Sequence, residues 1–212
     1  MKTISLAAVM AAAFCVSSTA FGQSKLAIEV LGGESFNAVN SGGTLSNWGN
    51  GWTVGGGLAY HVMPNVDIDF DLCYDRYPYE GGHVELVLPA VAGLRYAVTG
   101  KPSIAEEASL GVRFTAATPV VSPFLSVKGG LRNLSTGKID VAEWFDPTPQ
   151  DVSHWTYNGT GSSNINFFAA VGFGLLVPIN SMVCVSIEGR FTQVFVPNEI
   201  FVPLAARVQF NL

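Results

Sequence analysis

The ten residues VDIDFDLCYD, Val66 to Asp75, constrain the fold more than any other stretch of the chain. Val66, Ile68, Phe70, Leu72 and Tyr74 alternate with Asp67, Asp69, Asp71, Cys73 and Asp75. A period of two is the mark of a β-strand, whose successive side chains point to opposite faces. One face here is wholly apolar and the other carries four carboxylates. Similar alternation recurs in about eight segments, while amphipathic helix patterns are almost absent. Repeated behind an export signal, the pattern predicts a barrel that is apolar outside and polar inside.

The expected fold is all-β: an eight-stranded antiparallel up-and-down transmembrane β-barrel. Its strands are read at 25–36, 52–62, 65–77, 84–98, 120–134, 164–178, 182–195 and 201–212. Choosing each phase from the apolar residues alone sends the charges to the other face. Glu29, Asp67, Asp69, Asp71, Asp75, Glu85 and Glu188 are predicted to point inward, with Arg95, Lys128, Arg132, Arg190 and Arg207. Arg76 faces outward, but at a strand end. A Lys or Arg facing lipid at the midplane costs about 2–4 kcal/mol, so a bilayer imposes this sorting. Inward glycines fit a narrow interior.

Residues 1–22 read as a cleavable secretory signal, and 23–212 as the barrel domain. Lys2 is the positive n-region, Ile4 to Val16 the apolar stretch, and Ala20-Phe21-Gly22 the small-x-small cleavage site before Gln23. Cleavage after Ala20 is the alternative. Bulky Phe14 before Cys15 argues against a lipoprotein. The apolar stretch is too short for a spanning helix, which needs about 20 residues. The net charge of −5 gives no basis for binding nucleic acid. Only 13% of residues are charged and mean hydropathy is positive, yet no segment after the signal reads as a membrane helix. Cys73 and Cys184, on strands three and seven of the predicted barrel, are expected to be free thiols facing the lumen.

Met63-Pro64-Asn65 and Asn180-Ser181 read as tight periplasmic turns, and 37–51 and 135–163 as long outer loops, with 78–83 and 196–200 completing the outer set. The segment 99–119 breaks the alternation, being a long connection on the periplasmic side. Ser103 and Glu106 have capping-box spacing, which predicts a short helix near 103–110. The alternative is two further short strands, one of them Ser109 to Thr115, and a ten-stranded barrel. Trp52, Tyr74, Tyr77 and Phe195 are placed at the outer rim, and Tyr60, Tyr96 and Phe210 at the inner one, as interfacial girdles.

Four stretches resemble the OmpA-like family of small outer-membrane β-barrels: Gly51–Tyr77, Val87–Val98, Val121–Asn133 and the closing VPLAARVQFNL of Val202–Leu212. The resemblance implies a bacterial outer-membrane address, with membrane lipid and the outer-membrane assembly machinery as partners. With the sequence ending at Leu212, no peptidoglycan-binding domain is expected after the barrel. Family barrels commonly end in an aromatic that the insertion machinery reads; here Leu212 is last and Phe210 stands two before it. One barrel hosts many activities, so the resemblance speaks to fold and address.

The interior charges are the best-defined constellation. Arg207 is expected to pair with Glu29 and Glu188 across the closing seam, and Arg95 with Asp67 or Asp69. The favoured reading is an ion-pair network filling the lumen; the runner-up is a narrow path for ions or small solutes, and a barrel-borne lipid hydrolase comes third. No catalytic, metal or cofactor site is expected. Ser153-His154 near Asp151 lies in a polar loop where such residues are common, and His83 near Glu80 and Glu85 has no ligand spacing. Asn158-Gly159-Thr160 matches the glycosylation pattern, but the bacterial address argues against its use. Trp144, Phe145, Trp155 and Tyr157 stand among Asp140, Glu143, Asp146 and Asp151 in the 135–163 loop. They suit capture of a surface ligand, packing on the barrel rim or seating in the lipid interface. The expected role is a scaffold that displays loops, not an enzyme.

Overall fold

A computed structural model describes residues 25–37, 45–81, 93–116, 118, 120–145, 151–157, 163–195 and 199–212, with no side-chain placement at 145 or 151–157. The signal segment 1–22 and its cleavage site lie outside these residues. The elements are β1 (Leu26–Asn37), β2 (Gly51–Met63), β3 (Val66–Tyr77), β4 (Leu94–Gly100), β5 (Ser103–Thr115) and β6 (Ser122–Ser135), followed by β7 (Ile139–Phe145), β8 (Asp151–Tyr157), β9 (Ser163–Pro178), β10 (Val183–Val194) and β11 (Glu199–Asn211). Eight of them close a barrel in the order β1-β11-β10-β9-β6-β5-β3-β2, and β4, β7 and β8 form a separate sheet in the order β4-β7-β8. All neighbours are antiparallel, and β1 meets β11 from Ala27↔Asn211 to Asn37↔Phe201. Closure leaves no barrel edge unpaired.

The faces follow from the period of two. Glu29, Asp67, Asp69, Asp71, Asp75, Lys128, Arg132, Glu188, Arg190 and Arg207 are all buried in the lumen. Val30, Val54, Phe70, Leu110, Val127, Val171, Phe173, Ile187 and Leu204 are exposed on the outside. This is the reverse of a water-soluble protein, in which ionised groups almost never go inside unpaired.

The fourth barrel strand is not where the sequence places it. It is β5, Ser103–Thr115, pairing with Val66–Tyr77 of β3 on one side and with β6 on the other. No helix forms at 103–110. Ser103 Oγ accepts a hydrogen bond from the Gly137 amide at 2.9 Å, and Glu106 Oε2 accepts one from Asn133 Nδ2 at 3.3 Å. Both side chains of the apparent capping box are thus engaged by other segments. The expected strand 84–98 yields only β4 among the described residues. Gly93 turns the chain just before it at φ 80°, a conformation that favours glycine. Glu85 lies outside the described residues. Arg95 is exposed on β4 and does not enter the lumen.

With β5 in place the anomalous connection disappears. The links 38–50, 78–102 and 136–162 are long and gather, with 195–198, at one end; 64–65, 116–121 and 179–182 are short and lie at the other. The barrel therefore has eight strands, not ten. Two aromatic placements also change. Tyr77 shares the parity of Asp75 and is fully buried inside the barrel. Tyr96 lies on β4, at the end with the long links, and packs against an apolar cluster there.

Candidate functional site

The site is the barrel interior, built by side chains that alternation forces inward from all eight strands. At its centre Arg207 Nη1 lies 2.8 Å from Asp71 Oδ1 and Nη2 2.9 Å from Glu188 Oε2, and Nη1 also contacts Glu29 Oε2. The other oxygen of Glu29 takes Arg113 Nη1 at 2.9 Å. One β1 carboxylate thus joins cations from β5 and β11. Arg113 further reaches Asp67 at 3.1 Å and Asp69 at 3.4 Å. Lys128 Nζ sits 2.5 Å from Asp71 and 3.5 Å from Asp69. Ser126 Oγ donates to Glu188 Oε1 at 2.5 Å. Gly172 faces this pair, and a Cβ there would overlap both side chains.

A second group lies nearer the long links. Arg132 contacts Glu107, stands 3.5 Å from Asp75, and donates to Tyr77 Oη at 2.8 Å. Arg190 reaches the other oxygen of Glu107 at 2.8 Å. The Arg132 guanidinium also lies 4.0 Å from the centroid of the Phe201 ring. Such planar, multi-donor cations suit this crowding, because one side chain satisfies several carboxylates. Unpaired, each charge would be strongly destabilising in a dry interior.

Above that group the polar lumen ends in an apolar plug. Leu45 and Trp48 from the first long link and Ile139 and Val141 of β7 pack with the inward residues Tyr77, Ala105, Leu134, Phe168, Ala170, Val194 and Phe201. Asn37 Nδ2 fixes the 45–48 turn by donating to Leu45 O and Trp48 O at 2.9 and 3.0 Å. Trp48 Nε1 donates to Lys101 O at 2.9 Å, and the Lys101 amide to Lys138 O at 2.8 Å. Three long links are therefore tied together over the mouth. Inside the barrel, a cavity of about 10 Å³ bordered by Thr53, Cys73, Glu188, Arg190 and Arg207 has room for about one water.

Arg113 and Glu107 are not among the expected lumen charges, because the favoured expectation places a helix near 103–110 and keeps Ser109 to Thr115 as a strand only in the ten-stranded alternative. Arg113, not Arg95, takes the place beside Asp67 and Asp69. The 135–163 loop contains the hairpin β7–β8, in which Val141 pairs with Trp155 and Ile139 with Tyr157. Trp144 is half-buried on β7. The side chains of Phe145, Trp155, Tyr157, Ser153 and His154 lie outside the described residues, as does all of His83. Among the described residues, no group of His, Cys, Asp and Glu is placed to hold a metal ion.

Cys73 and Cys184 are free and buried. In the folded barrel Cys73, 3% exposed, is expected to resist a water-soluble maleimide and to react after heat unfolding. Stoichiometric labelling of the folded barrel, read by mass spectrometry of the Cys73 peptide, would contradict the sealed lumen.

No protein-family model matches the chain, and no curated protein matches it in sequence. Solved structures do. Neisserial surface protein A (NspA) superposes with a TM-score of 0.52 at 16% identity, over 90% of this chain and 99% of that one. The N-terminal β-barrel domain of Pseudomonas aeruginosa OprF gives 0.44 at 15%, over 89% and 99%. Ail, the attachment invasion locus protein of Yersinia pestis, gives 0.46 at 12%, over 89% and 100%. Identity this low speaks to architecture alone. The fold is the closed eight-stranded antiparallel barrel of transmembrane proteins.

Proposed function

We propose that the chain is a bacterial outer-membrane barrel that serves as a closed scaffold, holding a structured cap of long links at the cell surface. The observation that carries this reading is the sealing of the barrel, by an ion-pair network in its interior and an apolar plug at one mouth. An eight-stranded interior is just wide enough for side chains to fill, and here Arg and carboxylate side chains fill it. An ion crossing would have to break several short charge-assisted contacts and displace Trp48 and Phe201. The greasy outer face supports the membrane address, since hydrocarbon solvates such a surface and water does not. The cap supports the surface role, because links fixed to a rigid barrel present a defined shape to a partner. The assembly machinery that inserts such barrels is the partner the address implies, and no cofactor or catalytic step enters the proposal.

Planar-bilayer recording on the refolded protein tests it. The expected result is a flat baseline, with heat-modifiable gel mobility showing that the barrel has folded. Discrete conductance steps from the pure protein would replace the scaffold with the narrow-channel reading.

A further inference from the structure

Outside the barrel, at the level where the apolar band gives way to polar residues, lies a recess of about 460 Å³ whose lining includes Glu34, Asn50, Trp52, Arg76 and Tyr79. The recess is in the size range of small-ligand sites. Its walls are set by strand register. Glu34 of β1 pairs with Trp52 of β2, and Trp52 pairs with Arg76 of β3. All three point outward, so an anion and a cation flank one indole. Their backbones are two inter-strand spacings apart, roughly 10 Å, and long side chains can converge on a ligand lying across Trp52.

Three observations make this more than a dimple. Glu34 and Arg76 are the two charged residues of this lining, and among the described residues neither is engaged in an ion pair or side-chain hydrogen bond. That contrasts with the lumen, where Arg113, Lys128, Arg132 and Arg207 are each shared among two or more carboxylates. Trp52 is 45% exposed, and its ring is braced from the side by Tyr74 at 5.7 Å between centroids. Tyr79 closes the far wall, packed so tightly on Gly100 that a Cβ there would overlap its ring. Trp and Tyr at such a boundary sit at headgroup level in a bilayer, and on the same strands the exposed Val54 and Val30 lie one and two pleat repeats below.

We propose that this recess binds one phospholipid headgroup that carries both a phosphate and a primary ammonium, of the phosphatidylethanolamine type. The Arg76 guanidinium matches the phosphate with paired N–H donors. Glu34 accepts from the ammonium, which lies against the Trp52 face in a cation–π contact. The acyl chains then run down the apolar band. A net-neutral pair of charges selects a zwitterion over a purely anionic headgroup, which Glu34 would repel. The inference rests on the membrane reading proposed above.

Native mass spectrometry of the folded barrel in detergent, titrated separately with phosphatidylethanolamine and phosphatidylglycerol of equal chain length, tests it. One phosphatidylethanolamine is expected to be retained per barrel, about tenfold more tightly than phosphatidylglycerol. Arg76→Ala should lower that retention about tenfold, and Glu34→Gln should invert the preference toward phosphatidylglycerol. Free phosphoethanolamine should bind far more weakly than the lipid, because it lacks the chains. Equal retention of both lipids, or retention that survives both substitutions, overturns the site. Heat-modifiable mobility is measured on every sample. A barrel that folds and shows no preference refutes the headgroup site and leaves the scaffold standing, whereas a mature chain that stays dispersed without detergent refutes both.

Discussion

Replacing Arg207 by Ala is expected to destabilise the folded barrel by about 3–5 kcal/mol, the usual consequence of removing one partner from a buried charge pair. The estimate belongs at the upper end because three carboxylates lose the same cation. Glu29, Asp71 and Glu188 converge on Arg207, and all are buried. Glu29 retains Arg113 and Asp71 retains Lys128, but Glu188 keeps only Ser126 among its short contacts. The loss should appear as a lower urea midpoint for unfolding from lipid vesicles and a lower temperature for the gel-mobility transition. Adding Glu188→Gln to Arg207→Ala should recover part of it, since one stranded charge is then removed. Coupling between such contacting residues is typically 0.5–3 kcal/mol, about the range to look for. An Arg207→Ala barrel as resistant to urea as its parent would show that the lumen charges do not hold the barrel together.

The inward positions of Asp67, Asp69 and Asp71 were legible because ion and hydrocarbon are such unlike neighbours that one parity is overwhelmingly favoured. The same contrast located Lys128, Arg132, Glu188, Arg190 and Arg207. It failed at β5, where the outward face mixes Ile104 and Leu110 with Glu106 and Ala108, so the apolar signal is diluted. In the 94–98 stretch, Leu94, Tyr96 and Val98 alternate more cleanly, yet that face packs into the cap cluster and not outward. Periodicity identifies a strand; it does not say which sheet receives it. Two signals did favour β5. Glu107 and Arg113 share parity with Ser103, Ser109 and Gly111, the small-or-ionised face seen on other barrel strands. Accepting that strand also restores the alternation of long and short links. Tyr77 was a different failure. Its own strand places it with Asp75 inside, and the period of two outweighs the general preference of aromatics for the rim.

The apolar plug was not legible at all. Leu45, Trp48, Ile139 and Val141 belong to segments remote from one another in the chain, and nothing local distinguishes a link that folds over the mouth from one that reaches into solvent. Their meeting depends on contacts such as Asn37 with the 45–48 turn and Trp48 with Lys101. Such long-range pairings leave no periodic trace.

The outer face admits a test as large as that of the lumen and of opposite logic. Leu110 lies near the middle of β5, is 61% exposed, and faces outward between the outward residues Ala108 and Val112. In water, replacing an exposed leucine by arginine is nearly neutral, within about 0.5 kcal/mol. At the midplane of a bilayer it costs about 2–4 kcal/mol, falling to about 0–1 near the interface. Leu110→Arg is therefore expected to destabilise the vesicle-inserted barrel by that larger amount. Ile104→Arg, on the same face of the same strand but level with Arg76 at the rim, should cost little. The difference between the two isolates depth, because strand, face and substituted charge are shared. Urea unfolding from vesicles of fixed composition reads both. A gradient from Leu110 to Ile104 requires a medium whose polarity changes along the barrel axis, which a bilayer provides and bulk water does not. Equal and small effects at the two sites would mean that the outer face meets water, and the apolar band would then need burial against protein instead.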